Sequence, residues 1–440
     1  MFQVLSATWA LMFGILLLIV GNGVQGTVLG IRGDIEGFST FQMSIIMSAY
    51  FLGFLGGSRL APELIRRVGH IRVFAALGSL ISAILVLYPL LINPWAWAIG
   101  RVLIGFCLSG VYVTAESWLN NSVSNEQRGQ ALSLYGLVQM AGMVASQGIM
   151  LTPDPSGFVL FIIPSVLVSV SFAPILLAIQ PTPAFATSKP MSLRQLWDSS
   201  PLGVVGILLL GGALSTLFGM SSVYGSQAGM TVPQISAFIA AIYLGGLILQ
   251  YPIGWLSDRM DRRWLILVVS AIGGFASFLA VALGGQFAAL LVAAMVIGGG
   301  SNPLYALLLA YVNDHLAPED MAGASGGLMF LYGVGAVAGP LASGAIMGLA
   351  GPQGFFLFLG VLCSAMAGYA GWRMTRSDAV PVDETISYTH VSPTASPVAV
   401  EFVQEMFIEE AQEAEAEAEA EAEKYGTRLG SETGAPKQMP

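Results

Sequence analysis

Apolar residues run along this chain in long stretches rather than in alternation. Twelve stretches reach the roughly 20 residues that a helix needs to cross a bilayer. They are 8–29, 41–61, 72–92, 95–117, 129–150, 158–179, 201–225, 233–256, 264–284, 287–311, 323–347 and 354–374. Most of the connectors are short and built from turn-forming residues, such as Asn93-Pro94, Pro153-Asp154-Pro155 and Gly351-Pro352. The longest internal connector is 180–200. The pattern predicts an all-α integral membrane protein of twelve transmembrane helices.

Composition agrees with that pattern. Hydrophobic residues make up 55% and charged residues 10%, against about 25% charged in soluble domains. Mean hydropathy is +0.74, and 53 glycines suit closely packed membrane helices. The first apolar run has no Lys or Arg before it, which predicts a first span rather than a cleaved leader. Cys107 and Cys363 both lie in apolar runs and are read as small buried residues.

The net charge of −9 divides unevenly. Residues 377–440 hold 14 acids and three bases, whereas residues 1–376 hold 12 acids and 14 bases. The acidity therefore belongs to a tail. With a cytoplasmic N-terminus, the cytoplasmic segments carry Arg59, Arg66, Arg67, Arg72, Arg128, Lys189, Arg194, Arg259, Arg262, Arg263, Arg373 and Arg376. Arg32 alone falls outside, and Arg101 lies within a span. This bias predicts that both termini are cytoplasmic. No basic patch with interleaved aromatics points to nucleic acid.

The two halves repeat weakly at an offset of 193. Tyr50-x-x-Gly53 maps onto Tyr243-x-x-Gly246, Val102-Leu-Ile-Gly105 onto Met295-Val-Ile-Gly298, Asn120 onto Asn313 and Glu126 onto Glu319. We expect a six-helix bundle over 1–179, a central cytoplasmic loop over 180–200, a second six-helix bundle over 201–376, and a mostly disordered acidic tail over 377–440. Phe402, Val403, Met406 and Phe407 give the tail an alternative role, docking a protein partner through 398–424.

The segment Gly254-Trp-Leu-Ser-Asp258-Arg259-Met-Asp261-Arg262-Arg263 closes the eighth run and opens the next loop. It resembles the G-x-L-A/S-D-R-x-G-R-R signature of the major facilitator superfamily, with Asp261 in place of the second Gly. Arg101-Val-Leu-Ile-Gly105 is similar to that family's fourth-helix pattern, and Asn125-Glu126-Gln127-Arg128-Gly129 to its loop between spans four and five. The first-half counterpart around Gly57–Gly69 lacks the Asp and has Glu63 nearest. Gly335-Ala-Val-Ala-Gly339-Pro340 resembles the family's Gly-Pro motif but falls in span eleven; span five has Gly142-Met143 instead. Ala115-Glu116-Ser-Trp-Leu-Asn120 resembles the YcaD-like bacterial branch. The resemblance implies two pseudo-symmetric bundles, alternating access, and a place in the bacterial inner (plasma) membrane. It also implies that Gly254, Asp258, Arg259, Arg262, Arg263, Glu126 and Arg128 form a cytoplasmic gate. Pseudo-symmetry predicts that Asp258 meets the start of span five near Arg128.

Chemistry narrows the function further. None of the lysines sits in a G-x-x-x-x-G-K-S/T loop, so no nucleotide-driven pumping is expected. Gly323-Ala-Ser325-Gly-Gly327 fits a nucleophile elbow by letter, but it opens an apolar run and is read as helix packing. His70, His315 and His390 lack metal spacing. We expect no enzyme, metal or cofactor.

A charge inside a span costs about 2.5–3.5 kcal/mol on insertion scales, so Arg101 needs a reason. Either it bonds to polar groups of span one, or it lines a cavity and meets an anionic solute. Asn22, Gln25, Tyr50, Gln139, Tyr243, Gln250, Asn302, Tyr305 and Tyr332 are further cavity candidates, because buried polar groups need partners. A break is expected at Gly300-Ser301-Asn302-Pro303. Asp34, Glu36 and Glu116 are the candidate coupling carboxylates, all near span ends. Glu116 has the alternative of an interfacial ion pair with Arg66, Arg67 or Arg128.

Together these features predict a monomeric secondary or facilitated transporter in a lipid bilayer, moving a small organic solute that is anionic or amphipathic. Efflux of hydrophobic compounds is one alternative. A receptor or scaffold acting through the acidic tail is another.

Overall fold

A computed structural model of the chain describes residues 2–124, 127–177 and 191–376, together with 380, 381, 385, 388, 389, 391 and 392. Every regular element among them is a helix. The first six are α1 (Phe2–Ile35), α2 (Thr40–Val68), α3 (His70–Leu87), α4 (Pro94–Asn121), α5 (Arg128–Ile149) and α6 (Val159–Leu177). The rest are α7 (Leu193–Ser199), α8 (Pro201–Gly219), α9 (Ser221–Gln227), α10 (Val232–Ser257), α11 (Arg262–Ala282), α12 (Phe287–Asn313), α13 (Pro318–Ala350) and α14 (Gly354–Met374). Ten of them are long and apolar enough to cross a membrane. Neither α5, which carries Gln130, Gln139 and Gln147, nor α6 is among those ten.

Local sequence sets the helix starts. Ser39 and Gln42 form a reciprocal capping box at α2, and Thr231 and Gln234 do so at α10. Asn93 accepts from Trp95 N and Ala96 N at α4, with Pro94 in the first turn, where its missing N–H is harmless. Gly69 turns the chain from α2 into α3 at φ 89°, a conformation that favours glycine.

Packing repeats along the chain. α2 packs on α4 as α10 packs on α12, α1 on α5 as α8 on α13, and α3 on α6 as α11 on α14. Glycines permit the closest of these approaches. A Cβ on Gly105 would collide with Tyr50 O, and one on Gly298 with Ile242 O. Likewise Gly53 abuts Val102 O and Gly245 abuts Met295 O. The offset of 193 therefore holds for α4 and α12. On the partner helices the structural equivalents of Tyr50 and Gly53 are Ile242 and Gly245, one residue earlier than the letter match to Tyr243 and Gly246 suggests. The doubled Gly245-Gly246 made the wrong register look right.

Three further expectations change. Span seven is divided at Met220 into α8 and α9, yet Met220 N still bonds Thr216 O and Tyr224 N still bonds Met220 O. Conversely, no break occurs at Pro303. α12 runs straight through it, and the Asn302 amide donates to Gly298 O at 3.0 Å, next to the carbonyl that Pro303 leaves without its donor. Within the expected loop 180–200, residues 193–199 form α7, which Ser192 and Gln195 cap. Met191 N bonds Gly323 O, and Leu196 packs at Gly327, so α7 rides on the start of α13.

The exterior is apolar, with Tyr251, Phe275, Val292 and Leu349 among the most exposed side chains. Trp9, Trp95, Trp197, Trp255, Trp264 and Trp372 are exposed near helix ends, where membrane interfaces favour indole rings.

Candidate functional site

The helices enclose a central cavity offering about 110 Å³ to small molecules, where one water needs about 10–15 Å³ on a comparable measure. α1 contributes Asn22 and Thr27, α2 Tyr50 and Phe51, α4 Arg101 and Tyr112, and α5 Gln139, Met140, Met143 and Gln147. From the second part of the chain come Phe218, Ser222, Ile239, Tyr243, Asn302 and Tyr332. The wall is mostly apolar with a few convergent polar groups, as solute sites commonly are.

Arg101 dominates its electrostatics. The residue is 5% exposed. Its Nη1 donates to Gln25 Oε1 at 2.8 Å, and its guanidinium lies 4.6 Å from the centre of the Tyr50 ring. Nη2 has Met47 Sδ at 3.9 Å, and Nε has no hydrogen-bond partner among the described residues. Asn22 stands close to the Tyr50 hydroxyl. No Asp or Glu lies on the described cavity wall. The site thus offers a buried cation, held by an amide and a ring face, with donor capacity to spare. Arg101 bonds a polar group of α1 and lines the cavity.

The remaining candidates are distributed around this centre. Gln25 stands behind Arg101 and holds it. Tyr305 lies in a smaller pocket beneath Tyr332, the two rings meeting edge to face at 5.4 Å. Gln250 lines a separate groove near Asp258. Thr27 and Gln147 bond each other at 3.2 Å on the cavity wall. Both are polar groups within apolar runs, and that is the signal by which the sequence marks them. Ser325 lies inside α13, far from any strand-to-helix elbow.

Of the acidic candidates, Asp34 is exposed at the end of α1, and Glu36 pairs with Arg32 at 2.6 Å. Glu116 is 2% exposed and accepts from the Tyr135 hydroxyl at 3.1 Å. Arg66 and Arg67 are engaged by Glu63 at 2.5 and 2.7 Å, their neighbour on α2.

The two ends of the cavity differ. Away from Asp258, α1 and α2 are bound to α9 and α13. Ser48 Oγ donates to Val337 O at 2.6 Å, Gln227 Nε2 to Thr40 Oγ1 at 2.7 Å, and Gly30 admits Ser222 against the α1 backbone. At the Asp258 end, a groove of about 480 Å³ runs between Gly129 and Ser133 of α5 and Gln250 and Gly254 of α10 with its C-cap Asp258. Asp258 and Gly129, in the first turn of α5, both line it. Asp258 Oδ1 accepts the backbone N–H of Tyr388 at 2.7 Å. Arg262 reaches Asp258 at 3.8 Å, Ser257 Oγ at 3.1 Å and Asp314 at 2.5 Å, the last a buried ion pair that the sequence did not announce. Arg263 pairs with Asp261 at 2.8 Å, and Arg259 stacks on Trp255 at 4.3 Å. Arg128 opens α5. Glu126 and the 398–424 segment lie outside the described residues.

Comparison with known proteins agrees with this architecture. The Major Facilitator Superfamily model matches residues 11–244 and 225–387. A protein of Yersinia pestis described as an uncharacterized MFS-type transporter is 28% identical over 342 residues, 77% of this chain and 88% of that one. The Salmonella arizonae MFS-type transporter YcaD is 27% identical over 335 residues, 75% and 86% of the two chains. Among solved structures, a variant of the nucleoside transporter NupG superposes with TM-score 0.72 at 14% identity, over 84% of this chain and all of that one. A bacterial homologue of the lysosomal transporter Spinster, inward-facing and unoccupied, gives 0.64 at 13%, over 92% and 98%. These two likenesses establish the fold.

Proposed function

The chain belongs to the Major Facilitator Superfamily of membrane transporters, and from that premise we propose that it carries a small anionic or amphipathic organic solute by alternating access. One observation carries the choice of solute. Arg101 is a buried cation on the cavity wall with an uncommitted Nε and no carboxylate facing it there. An anion entering the cavity would meet a charge already desolvated, where a hydrogen bond to a charged group is worth about 1.5–3 kcal/mol. Asn22, Gln139, Tyr243 and Asn302 would orient its polar groups, while Met140, Met143, Phe51 and Phe218 would cover its apolar part. That apolar wall also supports the second reading, efflux of hydrophobic compounds.

Two six-helix bundles, 1–179 and 201–376, rock about this site in the proposed cycle. Counting α8 and α9 as one span and α7 as none leaves twelve helices among the described residues, which supports this reading. The bias of Lys and Arg supports cytoplasmic termini in a bacterial inner membrane. Gly254, Asp258, Arg259, Arg262, Arg263, Glu126 and Arg128 would work the cytoplasmic gate. Among the candidate coupling carboxylates, Glu116 is the best placed, since it is buried beside Tyr135.

The test is uptake into proteoliposomes of radiolabelled monocarboxylates, dicarboxylates, nucleosides and hydrophobic cations, in wild type and Arg101→Gln. Uptake of an anion that disappears in the variant is expected. Cation movement equal in both proteins would replace this reading with the second.

A further inference from the structure

We propose that Tyr388, Thr389, Val391 and Ser392 form an intrachain plug that blocks the way from the Asp258 end of the protein to the central cavity. This holds whatever solute the cavity accepts. The first contact is polar: the Tyr388 N–H donates to Asp258 Oδ1 at 2.7 Å, a charge-assisted bond. The second is steric. The Tyr388 ring lies so close to the α10 backbone that a Cβ on Gly254 would stand 2.7 Å from its Cδ1 and Cε1. Tyr388 and Thr389 line the groove whose other walls include Gly129 and Ser133 of α5, Gln250 and Gly254 of α10 and the α10 cap Asp258, so these residues stand between the two helices. Val391 is 2% exposed and Ser392 8%. Ser392 forms part of the cavity wall together with Arg101, Gln139 and Asn302.

Those contacts join the two spaces. Ser392 lies four residues past Tyr388, and four residues of extended chain span at most about 14 Å. The groove and the cavity therefore adjoin, and these side chains occupy the junction. A solute travelling between this face and Arg101 would have to displace them.

The plug is held without being locked. Val391 is withdrawn from water, and the carboxylate contact is strong for a single hydrogen bond. Against this, the Tyr388 hydroxyl is buried without a partner among the described residues, which weakens the docked state. Being part of the same chain, the segment returns at a high effective concentration after each release. Both close contacts of Tyr388, with Asp258 and Gly254, are on the α10 side, so a change in the α5–α10 separation alters the space that the plug fills and links its seating to the gate.

The test uses a Met140→Cys reporter on the cavity wall, in a Cys107→Ala, Cys363→Ala background. Reaction with a charged methanethiosulfonate is timed on detergent-purified protein. Four forms are compared: full chain, chain lacking 393–440, chain lacking 386–440, and full chain with Tyr388→Ala. The first two should react at one slow rate, and the last two about tenfold faster or more, a factor equal to about 1.4 kcal/mol. Equal rates in all four would overturn the proposal. So would acceleration on removing 393–440 alone, because the barrier would then be the acidic region beyond the plug. Should the chain lacking 386–440 fail to accumulate, Tyr388→Ala in the full chain decides by the same criterion.

Discussion

Replacing Arg101 by Gln separates binding from stability. The substitution removes the charge-assisted bond to Gln25, worth about 1.5–3 kcal/mol, and the contact with the Tyr50 ring, worth about 0.5–2 kcal/mol. It also removes a buried charge whose placement inside a membrane costs about 2.5–3.5 kcal/mol. Loss and relief nearly cancel, so the melting temperature of the empty protein should change little. Anion binding has no such compensation. Losing one charged hydrogen bond weakens it by about 10- to 150-fold, from the same 1.5–3 kcal/mol. A ligand at 100 times its Kd stabilises wild type by about 2.7 kcal/mol. After a hundredfold loss of affinity the same concentration gives about 0.4 kcal/mol. Thermal shift in detergent against a panel of organic anions, hydrophobic cations, sugars and nucleosides should therefore show an anion that moves wild type and leaves Arg101→Gln almost still. An anion that shifts both proteins equally would refute the reasoning.

Other consequences are open to direct measurement. Arg262→Met should destabilise by about 3–5 kcal/mol, since it strands Asp314 in a buried position, and Arg262→Met with Asp314→Leu should recover much of that in thermal unfolding. Gly105→Ala should cost about 1–3 kcal/mol because its new methyl meets Tyr50 O, whereas Gly56→Ala, which has open space around it, should be neutral by the same assay. Burial, and secondarily the Asp258 carboxylate, push the Tyr388 phenol above its ordinary value. A raised docked-state pKa means that docking is intact below the free phenol's pKa of about 10 and is lost as pH rises beyond it. In the 295 nm titration of wild type minus Tyr388→Phe, a tyrosine should therefore ionise late, and one ionising at or below the ordinary value would contradict the docked position.

The helices were legible because their apolar runs are long, and ten of them are long and apolar enough to cross a membrane. Arg101, Asn22, Tyr50 and Gln139 stood out for the same reason, as polar groups where none is cheap. What stayed hidden depended on contacts between distant positions. Asp258 and Tyr388 are 130 residues apart, and nothing in Ser377–Ser392 announces a docking segment. The Arg262–Asp314 pair joins two loops that look merely charged and solvated. The Gly245 register was hidden by its twin, because letters do not record which of two adjacent glycines meets a carbonyl. The continuity of α12 through Pro303 rests on close packing that keeps Asn302 and its neighbours buried.

The lone charge on the cavity wall has an electrical consequence. An empty cavity carries the positive charge of Arg101, and a bound monovalent anion cancels it. A charge that crosses the full membrane field exchanges about 2.3 kcal/mol per 100 mV. The loaded transition would then be indifferent to voltage, while the return of the empty carrier would feel whatever fraction of the field Arg101 traverses. Anion-for-anion exchange would pass no current and ignore the membrane potential; net movement would do neither.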